Sequence, residues 1–143
     1  MTERQRHLIR ESFASLSPEA GAIGLLFYGR LFALDPALRP MFHGDIGRQS
    51  KKLRDMLAVV IRYVDDLESL GPELEALGQR HVGYGVRDEH YASVGAALEW
   101  AIAQALEVEL ASEVMAAWRA LIGQVAARML QGAAAPAAPP LPR

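Results

Sequence analysis

Cysteine is absent from all 143 residues, which excludes disulfides, thiolate metal sites, iron–sulfur clusters and thioether attachment of a cofactor. No apolar run approaches the ~20 residues needed to cross a bilayer. The N-terminal MTERQRHLIRE is charged from its third residue and holds no signal-peptide apolar core. The cytoplasm is therefore the expected compartment. Neither sign of charge dominates, since 15 Lys and Arg oppose 17 Asp and Glu for a net of −2. Neither nucleic acid nor a membrane is then expected as a partner, and no aromatics are interleaved with the basic residues as a stacking platform requires. Alternation of apolar and polar residues between turn signals, the mark of a strand, is missing as well.

What is present is helical spacing. Thr2 caps a first helix reaching about Leu16, with Leu8, Ile9 and Phe13 inward. Ser17-Pro18-Glu19 reads as the start of a second helix, which runs to about Leu34 with Gly24, Phe27, Tyr28, Leu31 and Phe32 on its stripe. The prolines of DPALRPMF permit only a short turn of helix, and HGDIG reads as a loop before a long helix from about Arg48 to Asp66. That helix carries a regular stripe of Leu53, Met56, Leu57, Val60, Ile61 and Val64, which extends back to Gln49. Gly71-Pro72 opens a helix striped by Leu70, Leu74, Leu77, Gly78, His81 and Val82, which Gly83 and Gly85 end. Asp88 reads as the next cap, before Tyr91, Val94, Gly95, Leu98 and Ile102. A final helix spans about Ala111 to Leu130 with Val114, Trp118, Leu121, Ile122, Val125 and Met129 inward. The expected fold is all-α, six main helices plus a short one. Residues 1–130 form one domain, and the Ala/Pro-rich residues 131–143 read as a disordered tail.

Four polar residues sit on apolar stripes: Tyr28, Gln49, His81 and Tyr91. Each alone has an ordinary structural explanation. An inward histidine is most often a satisfied core residue, a tyrosine points its hydroxyl to solvent, and a glutamine in a first turn frames a cap. Together they call for a shared hydrogen-bond network or a shared ligand, because a buried polar group without a partner costs roughly 1–3 kcal/mol. A planar apolar cofactor between helices accounts for all four. An imidazole on one side would ligate its metal, with the Leu77 carbonyl fixing the ring's tautomer. A phenol and an amide on the other side would donate to a bound diatomic ligand.

The segments GLLFYGRLFALDPALRPMF, QSKKL, LGQRHVGYGV and HYASVG, in this order, resemble the single-domain bacterial globins related to the haem domain of flavohaemoglobins and to neuroglobin. The resemblance covers residues 2 to about 130. It implies a globin fold around haem b (iron protoporphyrin IX), with His81 as the proximal iron ligand and Tyr28 and Gln49 as the distal pair. Phe42, Leu53, Val86 and Tyr91 are the implied cofactor contacts, with Phe42 wedged against the porphyrin. The implied function is reversible binding of dioxygen, with nitric oxide and carbon monoxide as further ligands. Nitric oxide dioxygenation with an external reductase, or gas sensing, are the alternatives, so enzymatic activity stays open.

Departures from the family pattern bear on that choice. Tyr91 matches a tyrosine that flavohaemoglobins pair with a glutamate beside the proximal histidine. Counting from Trp118, the glutamate's position falls at about Ala133. A reductase segment is not expected to follow, and Gln49 stands where neuroglobin has a distal histidine, so bis-histidine ligation is not expected. His43, His7 and His90 read as loop, surface or helix-flank residues.

Overall fold

The computed structural model describes residues 1–16, 20–42 and 45–134. Six α-helices follow one another: α1 (Glu3–Leu16), α2 (Ala20–Leu34), α3 (Ile46–Arg62), α4 (Gly71–Gly83), α5 (His90–Leu106) and α6 (Glu113–Ala134). Two 3-10 helices, Pro36–Met41 and Leu67–Leu70, complete the described elements, and no strand occurs among them. No described helix is long and apolar enough to cross a membrane.

Local chemistry sets the helix ends. The Thr2 hydroxyl accepts from Gln5 N–H (3.1 Å) while Thr2 N–H donates to the Gln5 amide oxygen (3.0 Å), a reciprocal capping box. Asp45 caps α3 by accepting from Gly47 N–H at 2.9 Å. The helix therefore starts two residues before the expected Arg48, and it ends at Arg62 rather than Asp66. Asp88 is not the side-chain cap of α5. His90 Nδ1 accepts from Arg87 N–H at 3.0 Å instead, taking up a donor that the first turn leaves free. The last helix runs through Ala134, four residues past the expected Leu130. The proposed Ser17 cap, His43 and residues 135–143 lie outside the described residues.

Burial follows the stripes. Ile9, Phe27, Leu31, Leu57, Val60, Ile61, Leu74, Ile102, Trp118, Leu121 and Met129 form the core. Val82 departs from expectation and is 50 % exposed. A buried polar link joins α1 to α6: Trp118 Nε1–H donates to the Ser12 hydroxyl (2.9 Å), which donates to the Ile9 carbonyl (3.1 Å).

Two close crossings position the rest. A Cβ on Gly24 would lie 2.4 Å from the Ser50 Cβ, so α2 and α3 meet backbone to backbone. That contact lies one turn from Tyr28 and one residue from Gln49. A Cβ on Gly78 would lie 1.9 Å from the Met129 carbonyl oxygen, which locks α4 onto α6 one turn before His81. α3 thus packs on α2, and α4 on α6. Although consecutive in the chain, α3 and α4 make no extensive contact with each other.

Candidate functional site

The polar stripe residues lie on α2 (Tyr28), α3 (Gln49), α4 (His81) and α5 (Tyr91), and of these helices α3 and α4 make no extensive contact with each other. On the α2–α3 side, Tyr28 is buried to 6 % exposure and its hydroxyl donates to the Gln49 backbone carbonyl across a long 3.4 Å. Rings surround it: Phe27 edge-on at 4.8 Å, Phe42 edge-on at 5.3 Å and Phe32 stacked at 6.0 Å, with Phe32 and Phe42 in mutual edge contact at 5.5 Å. Burial among these rings pushes the Tyr28 phenol up to about 12, so it remains a protonated donor across the ordinary pH range. Sequence reasoning paired the Tyr28 and Gln49 side chains. The structure does bring the two residues together, through the Gln49 main chain.

On α4, His81 is half-buried and its Nδ1 lies 2.8 Å from the Leu77 carbonyl. A carbonyl can only accept, so Nδ1 carries the proton and Nε2 keeps its lone pair for a ligand. The carbonyl of His81 in turn accepts from Val86 N–H at 3.0 Å, folding the chain after α4 back onto its last turn. Gln49, Leu53, Met56, Leu77, Val86, Val94 and Leu98 are all half-buried rather than buried. Apolar stripe residues left half-exposed on helices beside His81 and Gln49 are the kind of surface that an apolar ligand covers.

Tyr91, at the start of α5, has a buried hydroxyl with no hydrogen-bond partner among the described residues. Desolvation, and secondarily the Asp88 charge, raise its phenol above the ordinary tyrosine value. The position counted for a partnering carboxylate, Ala133, is a half-buried residue of α6 that has nothing to offer it. Among the described residues no group of three or more His, Asp or Glu could hold a metal ion unaided. A metal at His81 therefore needs a macrocycle to supply its remaining ligands. The chemistry of the single imidazole with a free Nε2, the half-buried apolar residues and the protonated phenol fits an iron porphyrin.

Two features escaped the sequence reading. His90, read as a surface or helix-flank residue, does flank α5 as its first residue but is buried at 5 % exposure, its ring accepting from Arg87 N–H. Its signal was present, since a side-chain acceptor three residues after a turn can take up a free N–H. Arg39 lies 5.0 Å over the Phe32 ring, putting a cation against the aromatic cluster. His7 is exposed as expected, in an i,i+4 pair with Glu11.

Known proteins share this arrangement. The family model described as Globin matches residues 25–129. The flavohemoprotein of Bordetella parapertussis is 34% identical over 124 residues, covering 85% of this chain and 31% of its own length. The chain thus spans about a third of the flavohemoproteins it matches. The neuroglobin of Chaenocephalus aceratus is 30% identical, with 92% of each chain covered. Among solved structures, a bacterial globin from Campylobacter jejuni superposes with a TM-score of 0.82 at 26% identity, covering 92% of this chain and 96% of its own. An engineered carbene transferase from Rhodothermus marinus, named as a candidate nitric oxide dioxygenase, gives 0.82 at 26% identity, covering 94% of both. With its helical fold and these relatives in agreement, the chain belongs to the globin family.

Proposed function

We propose that this globin binds dioxygen reversibly at a non-covalent haem b held between α3 and α4 by residues 1–130. The observation that carries the reading is the pairing of a tautomer-fixed His81 with a buried, protonated Tyr28 beside Gln49. Haem supplies the iron at which a diatomic ligand is held. His81 Nε2 would ligate that iron, and the absence of cysteine leaves non-covalent attachment as the mode. Phe42, Leu53, Val86 and Tyr91 would contact the porphyrin and keep water out. Tyr28 and the Gln49 side chain would donate hydrogen bonds to dioxygen, which carries partial negative charge when bound, and so slow its release. Carbon monoxide gains less from such donors, which favours dioxygen over it.

Optical spectra of the purified protein test the reading: as isolated, reduced, reduced with carbon monoxide, and reduced then exposed to air. The expected result is a five-coordinate ferrous spectrum that converts in air to a long-lived oxygenated one. A protein that takes up no haem refutes the reading outright.

A second reading is nitric oxide dioxygenation with an external reductase in the cytoplasm, supported by the likeness to the Rhodothermus protein. The unpartnered Tyr91 hydroxyl and the alanine at 133 weaken it, because a carboxylate in that network would make the proximal imidazole a stronger electron donor. Sustained turnover with a reductase, against a single stoichiometric oxidation, separates the two.

A further inference from the structure

The Tyr28 hydroxyl bonds the Gln49 carbonyl across 3.4 Å, too long a bond to fix the side chain by itself. The direction in which that hydroxyl points is therefore set by the packing of its ring. Three neighbouring rings do the packing, and they are not equally secure. Phe27 is locked in the core at 4 % exposure. Phe32, stacked on Tyr28 at 6.0 Å, and Phe42, edge-on at 5.3 Å, are only half-buried, so burial alone holds neither.

Both of these looser rings are tied to one residue. The guanidinium carbon of Arg39 lies 5.0 Å over the Phe32 ring. The Arg39 carbonyl accepts from Phe42 N–H at 3.2 Å. The backbone that makes the second contact is stiff, because Arg39 lies inside the 3-10 helix Pro36–Met41 and directly before Pro40, whose ring restricts the residue ahead of it. The side chain that makes the first contact is exposed and forms no ion pair with a described acid, so the Phe32 face is the contact that orders it. A cation over an aromatic face is attracted by the ring's negative π cloud and holds the ring in return.

We infer that Arg39 is the positioning residue for the Tyr28 phenol. From the surface it pins Phe32 with its charge and Phe42 with its carbonyl, and those two rings keep the phenol turned towards a bound ligand. The inference rests on the oxygen-binding reading above and deepens it, by naming a surface side chain that governs how long dioxygen is retained.

The test compares Arg39→Gln, Arg39→Lys and Arg30→Gln in the full chain. All three keep the backbone carbonyl at position 39, so they read the side chain alone. Arg30 is the matched control: it is exposed and lies 5.1 Å over a ring, but that ring is Trp100 of α5, which is not one of the three around Tyr28. Three readouts are taken. The first is release of dioxygen and of carbon monoxide from the haem-loaded protein. The second is the vibrational band of bound carbon monoxide, which reports the donors around the ligand. The third is the nuclear magnetic resonance of isotope-labelled phenylalanine and tyrosine rings, which needs no haem.

Arg39→Gln should speed dioxygen release about two- to five-fold, the factor to which a surface cation–π contact corresponds. Carbon monoxide release should not change, its vibrational band should split, and the Phe32 and Tyr28 ring signals should shift and average. Arg39→Lys, which keeps a charge over the ring, should stay within about 1.5-fold of wild type, and so should Arg30→Gln. Equal acceleration by Arg39→Gln and Arg30→Gln means that loss of any surface charge acts, and overturns the inference. So does failure of Arg39→Lys to rescue. Phe32 and Tyr28 ring signals that do not respond to Arg39→Gln overturn it whether or not haem binds. A chain that takes up no haem defeats the oxygen-binding reading itself. One that binds haem and dioxygen but releases the gas equally from wild type and Arg39→Gln defeats only the role of Arg39.

Discussion

Replacing Tyr28 by phenylalanine removes one oxygen atom from the centre of the proposed site, and the structure sets the size of the consequence. The ring is held by three aromatic neighbours that the substitution leaves in place. The hydroxyl's bond to the Gln49 carbonyl is 3.4 Å long, at the weak end of the range. Folding stability should therefore change by less than about 1 kcal/mol. Dioxygen release should change far more. A hydrogen bond from the phenol to a partly charged ligand contributes about 1–2 kcal/mol net, after the long bond to Gln49 is given up. At about 1.4 kcal/mol per decade, dioxygen release should accelerate roughly 5- to 30-fold. Carbon monoxide, which develops little charge, should respond by about two-fold or less.

The assay is flash photolysis and stopped-flow displacement on wild type and Tyr28→Phe, with urea unfolding as the stability control. pH adds a second arm. With its phenol pushed up to about 12, Tyr28 stays protonated and donating, so wild-type dioxygen release should be flat from pH 6 to about 10. Equal acceleration for both gases would refute the reasoning, because it would mean that the substitution opened the pocket rather than removed a donor. A steep rise in release centred near pH 10 would refute it from the other side, by showing an ordinary solvated phenol.

The remaining predictions concern the scaffold. Gly78→Ala should destabilise by about 2 kcal/mol in urea melts, since its Cβ meets the Met129 carbonyl at 1.9 Å and the helix-propensity gain offsets only part of the overpacking. Gly29→Ala, on a helical glycine with nothing near its Cβ, should stabilise by about 0.5–1 kcal/mol. His90→Ala should cost about 1–2 kcal/mol by emptying a buried site and freeing Arg87 N–H. His90→Asn should recover part of that loss, which separates the cap from the volume. In strong alkali, Tyr28 ionises near pH 10 in the unfolded chain and about 12 in the folded one. The folded state then holds the extra proton, and stability should fall as pH rises through that window. The fall should be smaller in Tyr28→Phe, followed by circular dichroism against pH.

The stripes were legible because periodicity reports directly which face a helix buries. Every α3 position read as inward is at least half-buried, and Tyr28, Gln49, His81 and Tyr91 stood out because polarity on such a stripe violates the pattern. Helix ends were less legible, because they depend on which of several nearby acceptors wins. Asp45 and Asp88 look equivalent in sequence, yet Asp45 caps α3 while α5 has no side-chain cap and His90 accepts from Arg87 N–H just ahead of the helix. A buried histidine can satisfy a turn from inside, where an aspartate at the surface could do the same from outside, and periodicity does not rank the two. Val82 missed for a related reason. It shares the stripe with His81 but falls in the last turn of α4, past the Gly78–Met129 crossing, where no neighbouring helix remains to cover it.

The same crossings explain why candidate site residues can be picked out in sequence while their contacts cannot. Gly24 on Ser50 and Gly78 on Met129 each draw two helices to backbone contact. Each also holds a candidate site residue at one turn's distance, Tyr28 from Gly24 and His81 from Gly78. Pairing α3 with α2 and α4 with α6 in this way leaves α3 and α4 apart. A gap between consecutive helices is a property of two distant pairs, so no local window of sequence contains it. If the crossings create the gap, Gly78→Ala should loosen haem binding as well as the fold, although Gly78 itself need not touch the cofactor. Haem-transfer kinetics to an acceptor globin would read this directly. Faster loss from Gly78→Ala than from His90→Ala, at matched stability, is the expected order. The reverse order would place control of the pocket in the turn before α5 instead of in the α4–α6 crossing.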